Sequence, residues 1–247
     1  MEEGVAGWGL LVAAPIVGSF VGVVVRRLPA DGAIVWARSR CEACGAALAP
    51  RDLVPLVSWL LARGRCRYCG ARLGWFYPAI ELAALAIAAL ALALDDPPRV
   101  WLDCLFGWWL LALAWIDLER WLLPNALTLP LIVAGLAAAA LFDPGAVVDR
   151  ALAAAIGYLG LRALAAIYRA ARGRDGLGGG DAKLLAAAGA WVGLAALPQV
   201  ILAAALAALA GAAALSVAGA RLTAHSALPF GPFLAAAIWA VWLLGPL

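Results

Sequence analysis

The feature that most restricts this chain is the recurrence of long apolar tracts with little polar sequence between them. Each is close to the ~20 residues that an α-helix needs to cross the hydrocarbon core of a bilayer. Hydrophobic residues make up 66% of the 247 positions, charged residues 13%, and the mean hydropathy is +0.98. Soluble domains are about 45–50% apolar and about 25% charged. The chain therefore reads as an all-α polytopic membrane protein. Eight spans are expected, at about 5–25, 76–94, 99–116, 126–142, 151–168, 183–197, 199–219 and 228–246.

Charge orients these spans. Arg26 and Arg27 follow the first one at once, which predicts a cytoplasmic C-terminal end for it. Glu2 and Glu3 precede it without a basic residue, as expected of a retained helix rather than a cleaved signal peptide. With eight spans, Arg120, Arg169, Arg172, Arg174, Lys183 and Arg221 fall on the cytoplasmic side. Asp95, Asp96, Arg99, Asp143, Asp149 and Arg150 fall on the other, where acid at least matches base. No nucleic-acid partner is expected.

One polar segment interrupts the pattern. Residues 26 to about 74 hold nine of the 18 Lys and Arg residues and four of the five cysteines. Those four stand as Cys41-Glu42-Ala43-Cys44 and, after 21 residues, Cys66-Arg67-Tyr68-Cys69. Each CxxC offers two thiolates on one tight turn, and two such turns supply the closed tetrahedral set of a structural zinc site. Such a site leaves no position for water, so this metal would hold a small cytoplasmic domain together. Redox pairs or free thiols are the competing reading. The fifth cysteine, Cys104, lies in an apolar run and reads as a core residue.

Two aspartates stand where lipid would be expected. Gly176-Leu177-Gly178-Gly179-Gly180-Asp181 ends a glycine run as an apolar helix begins, and Asp117 closes an earlier apolar run in Trp115-Ile116-Asp117-Leu118-Glu119-Arg120. An ionisable side chain in a membrane helix costs about 2.5–3.5 kcal/mol on insertion scales, so each is a functional candidate. Asp is also a good helix N-cap, and charge at a helix end is common, so each has an ordinary reading. The eight-span topology puts both on the cytoplasmic face. Two adjacent carboxylates share a proton and titrate as a pair, which can activate water and protonate a leaving amine. Glu81 and Asp103 read as interfacial or helix-to-helix hydrogen-bonding groups. His225, the single histidine, sits in a short loop with Thr223 and Ser226 and nothing marks it as catalytic or as a ligand. No internal repeat stands out.

Taken together, these blocks resemble the type IV prepilin peptidases, which cleave leader peptides and N-methylate the product. The resemblance begins with Gly18-Ser19-Phe20 through Arg27-Leu28-Pro29. It continues through Cys41 to Cys69, with Arg51-Asp52-Leu53-Val54-Pro55-Leu56-Val57-Ser58-Trp59-Leu60 between the pairs and Tyr77-Pro78 and Glu81 after them. Further on come Ile116-Asp117-Leu118-Glu119, Leu122-Leu123-Pro124 and Leu127-Thr128-Leu129-Pro130, then Gly178-Gly179-Gly180-Asp181 as a GxGD motif, and finally Pro229-Phe230-Gly231-Pro232. The family usually has asparagine at the position of Gly22 and often aspartate at that of Asn125.

The resemblance implies an intramembrane-type aspartyl protease with Asp117 and Asp181 as the catalytic pair, supported by Gly178 and Gly180. Cys41, Cys44, Cys66 and Cys69 would hold zinc. The substrates would be prepilins or pseudopilins, cut after glycine at the cytoplasmic face of the inner membrane. S-adenosylmethionine would then supply a methyl group to the new N-terminus. The implied domains are a first helix at 1–25, a zinc-binding domain at 26–74 and a peptidase domain of about seven helices at 75–247. Its place at a helix N-terminus favours Asp181 as the base. A proton-relay transporter, a membrane scaffold and a GxGD peptidase without methyl transfer are the rival classes.

Overall fold

The computed structural model describes residues 2–30, 38–95, 97–173, 178–219 and 228–245. Asp96, Arg174, Gly176, Leu177, Arg221, Thr223, His225 and Ser226 lie outside the described residues. Nine α-helices stand among the described residues: α1 Glu2–Arg27, α2 Val57–Leu61, α3 Phe76–Leu94, α4 Pro97–Arg120, α5 Asn125–Phe142, α6 Val147–Arg172, α7 Gly179–Val192, α8 Leu197–Val217 and α9 Gly231–Leu244. Apart from the five-residue α2, these are the eight expected from the apolar tracts. Six of them are long and apolar enough to cross a membrane. The other two, α7 and α9, have 14 residues each, about 21 Å at 1.5 Å per residue, short of a ~30 Å hydrocarbon core.

The helix ends differ from expectation where it matters most. α4 runs on to Arg120 rather than stopping near 116, so Asp117 lies within its last turn. α7 begins at Gly179, which brings Asp181 inside the helix, and Gly193 at φ 83 ends it. The chain divides into two compact units, residues 1–112 and 113–247.

In the first unit, α1 and α3 meet through small residues. Ala14, Gly18 and Gly22, four apart, share one face of α1 and all are buried. A Cβ on Gly18 would stand 2.8 Å from the Glu81 Cα and 2.9 Å from the Ala84 Cβ, so only glycine allows this approach. Without a water-driven hydrophobic effect between membrane helices, such close backbone packing supplies much of their association. A Cβ on Gly22 would lie 3.2 Å from the Tyr77 ring, so the tyrosine lies directly over this glycine. Trp108 of α4 donates its indole N–H to the Ala84 carbonyl at 3.0 Å. The expected hydrogen-bonding role holds for Glu81, which is buried and accepts the Leu56 N–H at 2.7 Å and the Ser19 hydroxyl. Asp103 is fully buried with the Arg99 guanidinium 3.6 Å away, and Cys104 is core.

In the second unit, α6 and α7 pack by the same logic. Gly157 faces the Leu185 carbonyl and Gly189 faces the Ala153 backbone, each without room for a methyl group. Trp191 of α7 then locks α5, donating to the Leu131 carbonyl at 2.9 Å with Gly135 beneath its ring. It also meets Trp242 of α9 edge-on, centroids 5.3 Å apart. α7 is thus the buried centre of its unit, which explains how a helix too short to span is held.

Candidate functional site

The four paired cysteines converge. Their Sγ atoms all lie within 4.8 Å of one another, and none is in a disulfide. Tetrahedral thiolates on a metal at about 2.3 Å lie about 3.8 Å apart, and Cys41 Sγ and Cys69 Sγ already stand at 4.0 Å. The set fits a closed four-thiolate metal site.

Each half is built the same way. Arg40 bridges Ala47 as Arg65 bridges Arg72. The Cys41 N–H reaches the Ala46 carbonyl at 2.9 Å and the Gly45 N–H the Cys41 carbonyl at 2.8 Å; Cys66, Ala71 and Gly70 repeat this at 2.8 and 2.9 Å. Gly45 and Gly70 have φ 71 and 72, values that cost other residues dearly. A Cys-x-x-Cys-Gly-Ala repeat therefore underlies the fold here, a short repeat that the search for longer periods passes over. The N–H groups of Cys44 and Ala43 draw the Cys41 thiol down to about 7, toward the thiolate that metals bind.

Asp52 ties the connecting segment to the second turn. It accepts the Tyr68 hydroxyl at 2.9 Å and the Ala49 N–H at 3.1 Å, and it pairs with Arg67 at 3.0 Å. Burial alone would raise its pKa; the Tyr68 and Ala49 hydrogen bonds and the positive charges of Arg67 and Arg51 outweigh it and hold the carboxyl below its usual value.

The second constellation lies within residues 113–247. Asp117, only 7% exposed, accepts the Gly231 N–H at 3.0 Å, the first N–H of α9. Asp181 is half-buried and accepts the Gly178 N–H. Since Gly178 is the N-cap, Asp181 occupies the third helical position and reaches back, the carboxylate half of a capping box, so the ordinary N-cap reading is corrected by three positions. The two carboxylates, 64 positions apart in sequence, are close enough for the charge of Asp117 to act on Asp181.

Glycines make that approach possible. A Cβ on Gly180 would lie 2.9 Å from the Leu123 Cβ, so the first turn of α7 sits directly on the Leu122-Leu123-Pro124 turn that leaves α4. A Cβ on Gly178 would lie 3.1 Å from Asp181 Oδ2. A Cβ on Gly231 would stand 2.6 Å from Asp117 Oδ2. Both glycines expected from the motif thus bear on the site. Gly231 is the residue that sequence reasoning did not assign; the Pro229-Phe230-Gly231-Pro232 block marked it, but only the fold connects it to Asp117. Two further features surround the pair. Trp121 ends α4 with φ 56, a left-handed conformation unusual for a bulky residue. Lys183 donates to the Asn125 side chain at 2.5 Å, tying α7 to the start of α5.

The arrangement offers two adjacent carboxylates at helix ends, each held by one backbone N–H. Geometry of this kind suits proton-shared hydrolysis of an amide.

Two family models match most of the chain. The bacterial peptidase A24 N-terminal domain matches residues 12–94 and the type IV leader peptidase family matches residues 104–215. A prepilin leader peptidase/N-methyltransferase of Burkholderia pseudomallei (strain K96243) is 40% identical over 256 residues, covering 92% of this chain and 81% of the relative. Proteins of the same description from Aeromonas hydrophila and Pseudomonas aeruginosa are 37% and 36% identical, each across 93% of this chain, and 88% and 87% of the relative. No solved structure matches the chain.

Proposed function

The chain belongs to the type IV leader peptidase family, and from that premise we propose that it cleaves the basic leader from prepilins or pseudopilins after glycine, with Asp117 and Asp181 as its catalytic pair, and N-methylates the new N-terminus. The observation that carries the reading is the meeting of the two carboxylates within residues 113–247, Asp117 on the Gly231 N–H and Asp181 on that of Gly178.

In this reading the pair holds one proton. Asp181, in the first turn of α7, faces the positive end of that helix dipole and serves as the base that takes a proton from water. Asp117, in the last turn of α4 at the negative end of its own helix, keeps its proton and polarises the scissile carbonyl. The water oxygen adds to that carbon. Proton return to the amide nitrogen then breaks the C–N bond and releases the leader carboxylate and a free amine. That amine is the nucleophile for methylation, with S-adenosylmethionine as the methyl donor.

Zinc suits the four-cysteine site, with Cys41, Cys44, Cys66 and Cys69 as thiolate ligands; when bound it supplies rigidity rather than chemistry. The proposed partition is a first helix at 1–25, a zinc-binding domain at 26–74 and a membrane-embedded peptidase domain at 75–247; the N-terminal family match, residues 12–94, runs from the first through the second to the start of the third. The proposed location is the inner membrane, with the zinc domain and both aspartates on the cytoplasmic side, which the positive charge of Arg26 and Arg27 at the end of α1 favours.

The deciding experiment is cleavage, in detergent, of a peptide with a basic leader and glycine before phenylalanine. Wild type should cut after the glycine, and Asp117→Asn and Asp181→Asn should each fall by about 10³-fold or more while remaining folded. Retained cleavage in both variants would sink the dyad.

A further inference from the structure

The segment between the two CxxC turns carries an apolar face that the peptidase reading leaves unused. In α2, Val57, Leu60 and Leu61 stand at helical spacing on one side and are 50%, 65% and 75% exposed. Leu53 and Val54, just before, are 42% and 45% exposed. The opposite side of α2 is anchored: the Trp59 ring lies 4.5 Å from that of Trp75 and rests on Gly64.

Those anchors fix the depth of the segment. Trp75 immediately precedes α3, a helix long and apolar enough to span. The Leu56 N–H reaches Glu81, five residues inside α3, or about 7–8 Å beyond its start. To make that bond Leu56 adopts φ 58 and ψ −50 in a tight turn closed by the Val57 N–H and the Pro55 carbonyl at 2.5 Å. Such a backbone is strained, and it persists only where its surroundings impose it. The Arg26 guanidinium stacks 4.0 Å over the Phe76 ring and marks the same boundary from the end of α1. Arg51, Arg63 and Arg65, all exposed, flank the apolar face.

We propose that Leu53, Val54, Val57, Leu60 and Leu61 insert into the acyl–headgroup boundary of the membrane, with Arg51, Arg63 and Arg65 on anionic lipid headgroups. An apolar face at the level of the first turns of a spanning helix, edged by tryptophan and arginine, is the pattern of an interfacial segment. The charge matches the negative potential of a cytoplasmic leaflet. The zinc domain is then a platform lying on the bilayer rather than one standing in water. This goes beyond the peptidase reading and does not depend on it.

The test places p-benzoylphenylalanine at Leu61, at Leu60 and, as a control, at Arg67, in the full chain reconstituted into vesicles of phosphatidylethanolamine and phosphatidylglycerol. After irradiation, the mass of the protein is read. Leu61 and Leu60 should give phospholipid adducts at least fivefold above Arg67, with yield falling when phosphatidylglycerol is replaced by phosphatidylcholine. Adducts at control level at both positions, or cross-links to protein alone, would overturn the proposal. Two probe positions guard against one variant failing to fold.

Discussion

The four-cysteine turns and the aspartate pair are built on opposite plans. The first assembles from local parts: two copies of one turn, each closed by hydrogen bonds spanning about five residues, brought together over 28 positions by Cys41 and Cys69. The second joins residues 64 and 114 positions apart, and its one local contact is the Gly178 N–H on Asp181. It exists because glycines at 180 and 231 let helix ends touch carboxylate and side chain at distances a methyl group would forbid. A metal can substitute for a core in the first; the second depends on the packing of α7 against α5, α6 and α9. Strength of the one should follow its ligand, and precision of the other its smallest residues.

That contrast is broken most sharply by removing the metal. With no large apolar core, residues 38–75 are expected to depend on a metal held by the four thiolates, as small metal domains do. A chelator, or Cys66→Ser, should open the segment, and limited trypsin digestion should then cut at Arg51, Arg63, Arg65 and Arg67 faster than in untreated protein. The fragment 113–247 should remain uncut in its helices. Equal proteolysis of both regions would show that the two plans are one.

The converse test acts on the aspartates alone. Gly231→Ala puts a methyl 2.6 Å from Asp117 Oδ2, which must push the carboxylate aside. Displacement of about 1 Å in such a site costs roughly 10²-fold in rate, so kcat for peptide cleavage should fall about that much with little change in KM. Metal content should not change. A rate within threefold of wild type would mean that the Gly231 N–H does not position Asp117.

Gly180→Ala sharpens the point with a smaller effect. Its methyl meets the Leu123 Cβ at 2.9 Å, and overpacking of this kind costs typically 1–3 kcal/mol. Cleavage should drop about tenfold, and Leu123→Gly, which removes the opposing atoms, should restore part of it. A cycle in which the two changes simply add would place the contact outside the site.

How much of this was legible beforehand follows the same division. The paired cysteines, the apolar tracts and the two aspartates carry their chemistry in residue type and spacing, so the eight apolar helices, though not the shortness of α7 and α9, and the convergence of the four thiols could be expected from order alone. What could not be read was set by distant backbone. Asp117 and Asp181 both moved inside helices because α4 and α7 extend past the positions where polarity begins. Gly231 stood only as one residue of the Pro229-Phe230-Gly231-Pro232 block, and it is α9 that brings its N–H to Asp117. The Cys-x-x-Cys-Gly-Ala repeat was visible in principle, and its small size hid it. Glu81, by contrast, took the hydrogen-bonding role expected of it, although its partner, the strained Leu56 turn, has no sequence mark beyond Pro55.

The finest difference between the plans lies in Asp52. It is the one carboxylate that fastens the connecting segment to the second cysteine turn, through Tyr68 and Arg67. Because its folded pKa lies below the unfolded value of about 3.9, its contribution is fully present above that pH and is lost as pH falls through the folded pKa. At pH 7 the interaction is therefore complete, and Asp52→Asn should weaken it without touching a metal ligand. Metal release to a chelator should quicken by a few fold, while peptide cleavage stays within twofold. If release is unchanged, the four thiolates alone set the stability of the domain, and the local plan is simpler still; if cleavage falls with it, the connecting segment takes part in binding substrate.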